Sequence, residues 1–377
     1  MDVSPLNYKL TFEPDLKKFT FTGLESISIN CKKPVNIITM NCAELKIKSC
    51  IVKSGKKIIK SNPKTNEKKE ELQIKLDEKI RGLCTVDLEF EGILNDRLLG
   101  FYRSRYEQNG KTKYLATTQF EAADARRAFP CWDKPDAKAT FEISIIADNQ
   151  FTAISNMPVK TKKKTGKTTI YNFQKTPLVS TYLIYLGVGE FEYLSGKAGK
   201  IQIRVVTTKG NTSKGKFSLE LGKKLLTSYE KYFGIKFPLP KLDLIAVPDF
   251  AAGAMENWGA ITFRETILLY DPKTSSTRTK QFIAEVISHE IAHMWFGNLV
   301  TMKWWNDLWL NESFATFMAT KFVDKFYPEW DLWNQFVEDA MNVAMSLDSL
   351  KTTHPIDVKV NSPAEIREIF DAISYDK

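Results

Sequence analysis

Two of the three histidines in this chain, His289 and His293, stand four residues apart with Glu290 beside the first, an H-E-x-x-H pattern. On an α-helix four residues turn through about 400°, so both imidazoles leave the same face and can reach one ion. Glu290 lies about 100° further round, beside the ion's open coordination position, where a general base belongs. The pattern alone also fits a pair of satisfied core histidines on a buried helix. A third ligand separates these readings: Glu312, in the run NESFATFM, follows His293 by nineteen positions. A hairpin of two helices can fold that carboxylate against the imidazoles, giving His, His, Glu and a water around Zn2+. The chemistry of such a centre is hydrolysis by an activated water. The remaining histidine, His354, lies in a loop-like THP segment and reads as structural.

The elements that must position these groups can be read from periodicity. Residues 278–296 are apolar nearly all round, start after Ser275-Ser276-Thr277 and stop at Gly297-Asn298. This predicts a buried, capped helix. A second helix is expected from Asn306-Asp307 to Tyr327, a third over 330–350, and an earlier one over 217–233, closed before Pro238 and Pro240. Strand-like runs at 242–247 and 259–263 flank a loop. The first half alternates apolar and polar residues in short segments, at 8–12, 25–29, 73–76, 84–90, 140–146 and 169–173, which predicts an antiparallel sheet. Small residues at Ser195-Gly196-Lys197-Ala198-Gly199 mark the change of periodicity. Two domains are expected, a β domain over 1–193 and a catalytic domain over 194–377.

A chain of 377 residues, 43% hydrophobic and 26% charged, has ample material for two cores. It has no run near the roughly eighteen apolar residues of a membrane span. Its N-terminus lacks a secretory pattern, so a cytoplasmic location is expected. The five cysteines are odd in number, lie in the first third and show no CxxC spacing. They read as buried or spare thiols rather than a disulfide or metal framework. The net charge of +9 is concentrated in lysine-rich runs at 53–71 and 160–167, mixed with Gly, Asn, Pro and Thr. These read as solvated hairpin tips rather than a nucleic-acid surface.

With these residues assembled, the sequence resembles the aminopeptidase N or puromycin-sensitive aminopeptidase family of gluzincins. The family's H-E-x-x-H, eighteen residues and Glu match His289 to Glu312 without a gap. Its G-A-M-E-N signature stands as Gly253-Ala254-Met255-Glu256-Asn257, and TTQFEAADARRAFPCWDKPDAKATF at 117–141 resembles the segment that joins the β domain to the active site. The likeness extends to archaeal, thermophilic, tricorn-associated members. It departs at Ser313, where many members have Gly after the glutamate ligand.

The resemblance implies a multidomain fold: an N-terminal, saddle-like antiparallel β domain, then a thermolysin-like α+β zinc-binding catalytic domain. It implies a zinc aminopeptidase acting on peptides with a free N-terminus, in the company of peptide-degradation machinery, with neither nucleic acid nor membrane as partner. An exopeptidase must hold the substrate α-ammonium, which buried carboxylates do by charge-assisted hydrogen bonds. Glu256 and Glu121 take this role, Gln119 assists, and the backbone of Gly253 and Ala254 pairs with substrate as an added strand. Without the resemblance Glu121 reads rather as a surface or buried ion-pair partner of Arg126, and Gly253-Ala254 as a tight bend between strands. Tyr375, in SYDK, matches the family's catalytic tyrosine, a donor to the oxyanion. An epoxide-opening branch of the family is expected to carry Gln at the position of Glu121, and a metal-stabilised binding protein has no need of Glu290. Members continue well beyond the position of Lys377, so an N-terminal portion is expected here, with Tyr375 poorly held close to a chain end.

Overall fold

Alternation of apolar and polar residues in the first half translates directly into strands. In Val3–Asp15, Tyr8, Leu10 and Phe12 point inward, and in Thr20–Asn41 the inward set includes Phe21, Ile27, Ile29 and Cys31. The computed structural model describes residues 1–376. It divides into two compact units, Met1–Phe191 and a second beginning at Glu192. Among the described residues no helix is long and apolar enough to cross a membrane.

The first unit is built on a nine-stranded sheet. From one edge the order is Val159–Thr165, Thr168–Phe173, Thr140–Asp148, Val3–Asp15, Thr20–Asn41, Glu71–Ile93, Lys46–Ser54 and Lys57–Ile59, with Ser61–Asn66 also pairing on Glu71–Ile93. The pairing is antiparallel except between Val3–Asp15 and Thr140–Asp148, which run parallel. A four-stranded sheet, in the order Thr152–Ser155, Leu186–Gly189, Lys111–Gln119 and Gly100–Gln108, completes the unit. Its core is aromatic: Phe12 lies within 6.3 Å of Phe21, Phe90, Phe101 and Phe129, centroid to centroid.

The lysine-rich runs fall on edge strands more than on turns. Val159–Thr165 is exposed at every residue, and the 53–71 run contains the strands Lys57–Ile59 and Ser61–Asn66. A strand wet on both faces shows no alternation, so it looks like loop in sequence. All five cysteines are free thiols. Burial pushes Cys31 up to about 11 and Cys42 up to about 12, which keeps both un-ionised and unreactive.

The second unit pairs a five-stranded sheet with helices. The sheet order is Phe191–Ala198, Ile201–Thr208, Lys241–Val247, Ala260–Arg264 and Ala254–Met255. Ile201–Thr208, Lys241–Val247 and Ala260–Arg264 run parallel to one another, and the last pair is antiparallel. Ser195–Gly199 therefore lies in a strand and the tight turn after it. Helix α1, Lys216–Phe233, buries Ser218, Leu221, Gly222, Leu225 and Tyr229 at helical spacing. It is ended by Gly234 in the left-handed region at φ 68°, ahead of the two prolines. Helix α2 covers Thr277–Ala292 and α3 covers Leu308–Phe326. The expected helix over 330–350 is present as Leu332–Gln335, a π-helical segment Phe336–Met341, and Asn342–Asp348.

Candidate metal centre and its surroundings

Ser276 caps α2: its backbone is extended and its hydroxyl accepts from the Thr279 N–H at 3.0 Å. The helix is one-sided rather than buried all round, with Ile283, Ile287, Glu290 and Ile291 inward and Phe282 half exposed. It also stops short of Phe296, because His293 is its C-cap residue. Beyond it the chain turns at Gly297, whose φ of 126° excludes other residues. A Cβ there would lie 2.5 Å from Asn311 Oδ1 and 3.3 Å from His293 Nδ1. That glycine lets α3 approach the histidines closely.

Tyr229 joins the three helices. Its Oη lies 2.8 Å from Ser288 Oγ and 3.1 Å from the carbonyl oxygens of Ser288 on α2 and Met318 on α3. On α3, Leu308, Ala315, Met318 and Phe322 form the buried stripe, and Asn311 and Glu312 lie within it. The fold therefore carries a carboxylate into the interior, opposite the two imidazoles.

Three donor atoms meet there. His289 Nε2 is 2.9 Å from His293 Nε2 and 3.1 Å from Glu312 Oε2, and His293 Nε2 is 3.5 Å from the same oxygen. Ligands bound to zinc at about 2.0–2.2 Å in a tetrahedron lie about 3.3–3.6 Å apart, so these edges, the shortest somewhat compressed, outline one face of that figure. The orientation fits too. His293 Nδ1 donates to the Phe296 carbonyl at 2.9 Å and lies 3.1 Å from Asn311 Oδ1, which leaves the Nε2 lone pair facing the other two ligands. His289 Nδ1 sits 3.4 Å from Thr316 Oγ1. Acceptor atoms converging this closely require a cation or a proton between them. The side chains of His293 and Glu312 are 1% and 3% exposed and that of His289 is 15% exposed, so the centre opens on the His289 side.

The electrostatics agree. Burial works against charge on Glu312, but His293 and His289 outweigh it and hold the carboxyl below the usual carboxylate range. Burial pushes the Glu290 carboxyl well above that range, opposed by His293 and reinforced by Glu256 and Glu312. Glu290 Oε2 is buried without a hydrogen-bond partner. An orphaned carboxylate oxygen is costly in a purely structural residue and suits one that receives a proton.

The loop carrying Gly253-Ala254-Met255-Glu256-Asn257 is fixed at both ends. Arg264 N–H donates to the Gly253 carbonyl at 2.9 Å, and buried Lys241 donates to the Gly259 carbonyl at 2.7 Å. Ala254 and Met255 pair with Phe263 and Thr262 as the edge of the sheet. Nothing inside the unit demands glycine at 253, where a Cβ would meet only Ile267 at 3.7 Å. Glu256 is 3% exposed; Asn298 Nδ2 donates to its carbonyl at 2.8 Å and Asn311 Nδ2 approaches its Oε1 at 3.4 Å. Asn257 is buried and donates to Thr262 Oγ1 at 3.1 Å.

Tyr375 is held close to the same centre. Its ring lies nearly parallel to that of His289, 6.1 Å between centroids at 13°. The helical turn Ala372–Asp376 that carries it is capped by Asp371, whose Oδ1 accepts from Ser374 N at 3.1 Å while Oδ2 lies 2.7 Å from His354 Nε2. The structural role expected of His354 is thus to brace the tyrosine's helix.

In the first unit, Gln119 ends the strand Lys111–Gln119 opposite Gly100, and its Oε1 is buried without a hydrogen-bond partner. Glu121 follows in the segment leading to Asp133. Arg126 does not wait on Glu121: it bonds Asp133 at 3.0 Å and Glu70 at 3.1 Å, and Arg127 bonds Asp124 and Glu70.

Comparison with known proteins bears on this arrangement. Residues 4–183 match the Peptidase M1 N-terminal domain and residues 217–377 the Peptidase family M1 domain. This chain belongs to the M1 peptidase family. Aminopeptidase M1 of Arabidopsis thaliana is 45% identical over 380 residues, covering 99% of this chain and 43% of the relative. Among yeast relatives from Saccharomyces cerevisiae, "Aminopeptidase 2, mitochondrial" is 45% identical over 100% of the chain, and "Alanine/arginine aminopeptidase" is 44% identical over 100%. The chain spans 40% and 44% of these two proteins. The M1 match accounts for the β-rich first unit followed by a catalytic domain.

Reading motifs left out several residues of this M1 centre: Asn311, Asn298, Thr316 and the Tyr229 tie. Only Asn311 had a usable signal. It is an amide on a helix stripe otherwise reserved for apolar residues, immediately before Glu312.

Proposed function

We propose that this chain carries the catalytic centre of a zinc aminopeptidase that removes the N-terminal residue from peptides. The observation that carries the reading is the triangle of His289, His293 and Glu312 donors, with orphaned Glu290 beside it. Zinc held by those three residues would polarise the scissile carbonyl and bring the pKa of a bound water to about 7. Glu290 accepts the water's proton on the oxygen that has no other partner and returns it to the leaving amine. The Tyr375 phenol donates to the oxyanion that develops on the carbonyl oxygen. Glu256 holds the substrate α-ammonium, and Asn311 keeps its carboxylate in place. Gly253 and Ala254 offer an edge backbone on which the substrate can add as a strand, with Met255 and Asn257 packing the loop behind. From the first unit, Gln119 and Glu121 are assigned to the same ammonium on the family pattern. Peptides with free N-termini are the substrates, with peptide-degradation enzymes as functional neighbours, and the cytoplasm is the proposed location.

The test combines metal content with release of a chromophore from amino-acid amides. Glu290→Gln should retain stoichiometric zinc and lose most turnover, whereas Glu312→Ala should lose the metal on dialysis. Near-normal turnover of Glu290→Gln at full zinc occupancy would falsify the base assignment. N-acetylated amides should be resistant, and their cleavage at rates similar to the free amides would make this an endopeptidase.

A further inference from the structure

Glu312 is flanked on α3 by two residues that reach in different directions. Asn311 turns toward Glu256 and His293. Ser313 turns toward the end of the described chain: its hydroxyl donates to the Ser374 carbonyl at 2.6 Å. That carbonyl belongs to the peptide plane whose nitrogen is Tyr375 N, so holding one atom of the plane orients the Cα from which the phenol projects. It also sits in the last turn of a short helix, where carbonyls have no partner within the helix. Ser374 is 2% exposed, so water is a poor substitute for the serine hydroxyl.

We propose that Ser313 is a positioning residue for the reaction, tying the Tyr375 peptide to the helix turn that carries Glu312. The metal-ligand carboxylate and the oxyanion donor are then set by adjacent residues of one rigid element. Where a relative has glycine at this position, the tie must be made in another way. The proposal rests on the reading of Tyr375 as oxyanion donor. A misplacement of about 1 Å in such a group can cost on the order of 100-fold, so one bond at its root has leverage over turnover.

The experiment uses the full chain loaded with zinc and compares Ser313→Ala, Ser313→Thr, Tyr375→Phe and the double variant Ser313→Ala/Tyr375→Phe. Ser313→Ala should lower kcat by about three- to tenfold, the worth of one hydrogen bond, with KM and zinc stoichiometry unchanged. Ser313→Thr, which keeps the hydroxyl, should restore it. In the Tyr375→Phe background, Ser313→Ala should cost nothing more; a further multiplicative loss there means that the hydroxyl acts on Glu312 and overturns the proposal. Full turnover in Tyr375→Phe sinks the oxyanion reading instead, and the tie itself is then decided by hydrogen exchange. The Ala372–Asp376 amides should exchange about three- to tenfold faster in Ser313→Ala, with those of α2 unaffected. Unchanged exchange overturns the proposal whatever the kinetics.

Discussion

Asn311 has three polar neighbours and an amide that can serve them all. Its Oδ1 lies 3.1 Å from His293 Nδ1, and its Nδ2 lies 3.4 Å from both Glu256 Oε1 and Glu312 Oε1. An amide supplies one acceptor and two donors, which this set can use in full. Neither Asp nor Ser can: the first brings a further negative charge beside two carboxylates, and the second is too short to span them. We expect Asn311→Ala to weaken zinc binding by about 10- to 100-fold, as loss of an outer-shell partner does, measured by competition with a chromogenic chelator. Substrate KM should rise as well, because Glu256 loses a donor. If zinc affinity is unchanged, the Phe296 carbonyl alone orients His293. The H-E-x-x-H and distant Glu were legible because their spacing matches helical geometry. Asn311 was marked only by its place on an otherwise apolar helix stripe, because a buried polar residue has no spacing rule of its own.

At the scale of elements, α2 combines the proposed metal ligands with a second, half-buried acid. Glu285 lies one turn before His289, and burial pushes its carboxyl up to about 7 from 4.5, against Arg278 on the same helix and with Asp339 of the π-helical segment adding to the rise. Arg278 and Asp339 form an ion pair with each other. A folded-state value above the unfolded one means that the native state holds this proton more tightly. The stability it contributes is complete below about pH 4.5 and is lost as pH rises through about 7. Glu285→Gln should therefore gain on the parent protein between pH 5 and pH 8, by on the order of 1–3 kcal/mol, read from denaturant midpoints at each pH. A constant offset across that range would show that Glu285 ionises as freely as in the unfolded chain. Helix starts were legible where a cap residue supplied a local signal, as at Ser276. The end of α2 was less so, because Met294, Trp295 and Phe296 keep the apolar pattern running into a turn. What stops the helix is the left-handed backbone at Gly297 and its close approach to Asn311, a tertiary cause.

Across the whole molecule, alternation marked strands of the first unit such as Val3–Asp15, Glu71–Ile93 and Thr140–Asp148, but not Gly100–Gln108, Lys111–Gln119, Thr152–Ser155 or the fully buried Leu186–Gly189. The lysine-rich strands gave no alternation either, because nearly all of their residues are wet. Val159–Thr165 stands at one edge of the nine-stranded sheet and Lys57–Ile59 at the other. Ser61–Asn66 carries Pro63, which cannot donate to a ladder. Open edges present unpaired N–H and C=O groups that invite a second sheet to join, and like charges spaced along them repel it. The excess of positive charge thus becomes a guard against edge-to-edge aggregation rather than a docking surface. Replacing Lys160, Lys162, Lys163 and Lys164 by Thr should shift the melting temperature little, because exposed positions seldom matter by more than about 0.5 kcal/mol. The same variant should show concentration-dependent growth of light scattering at pH 7 that the parent lacks. A variant that stays monodisperse at the same concentration would mean that twist alone protects that edge.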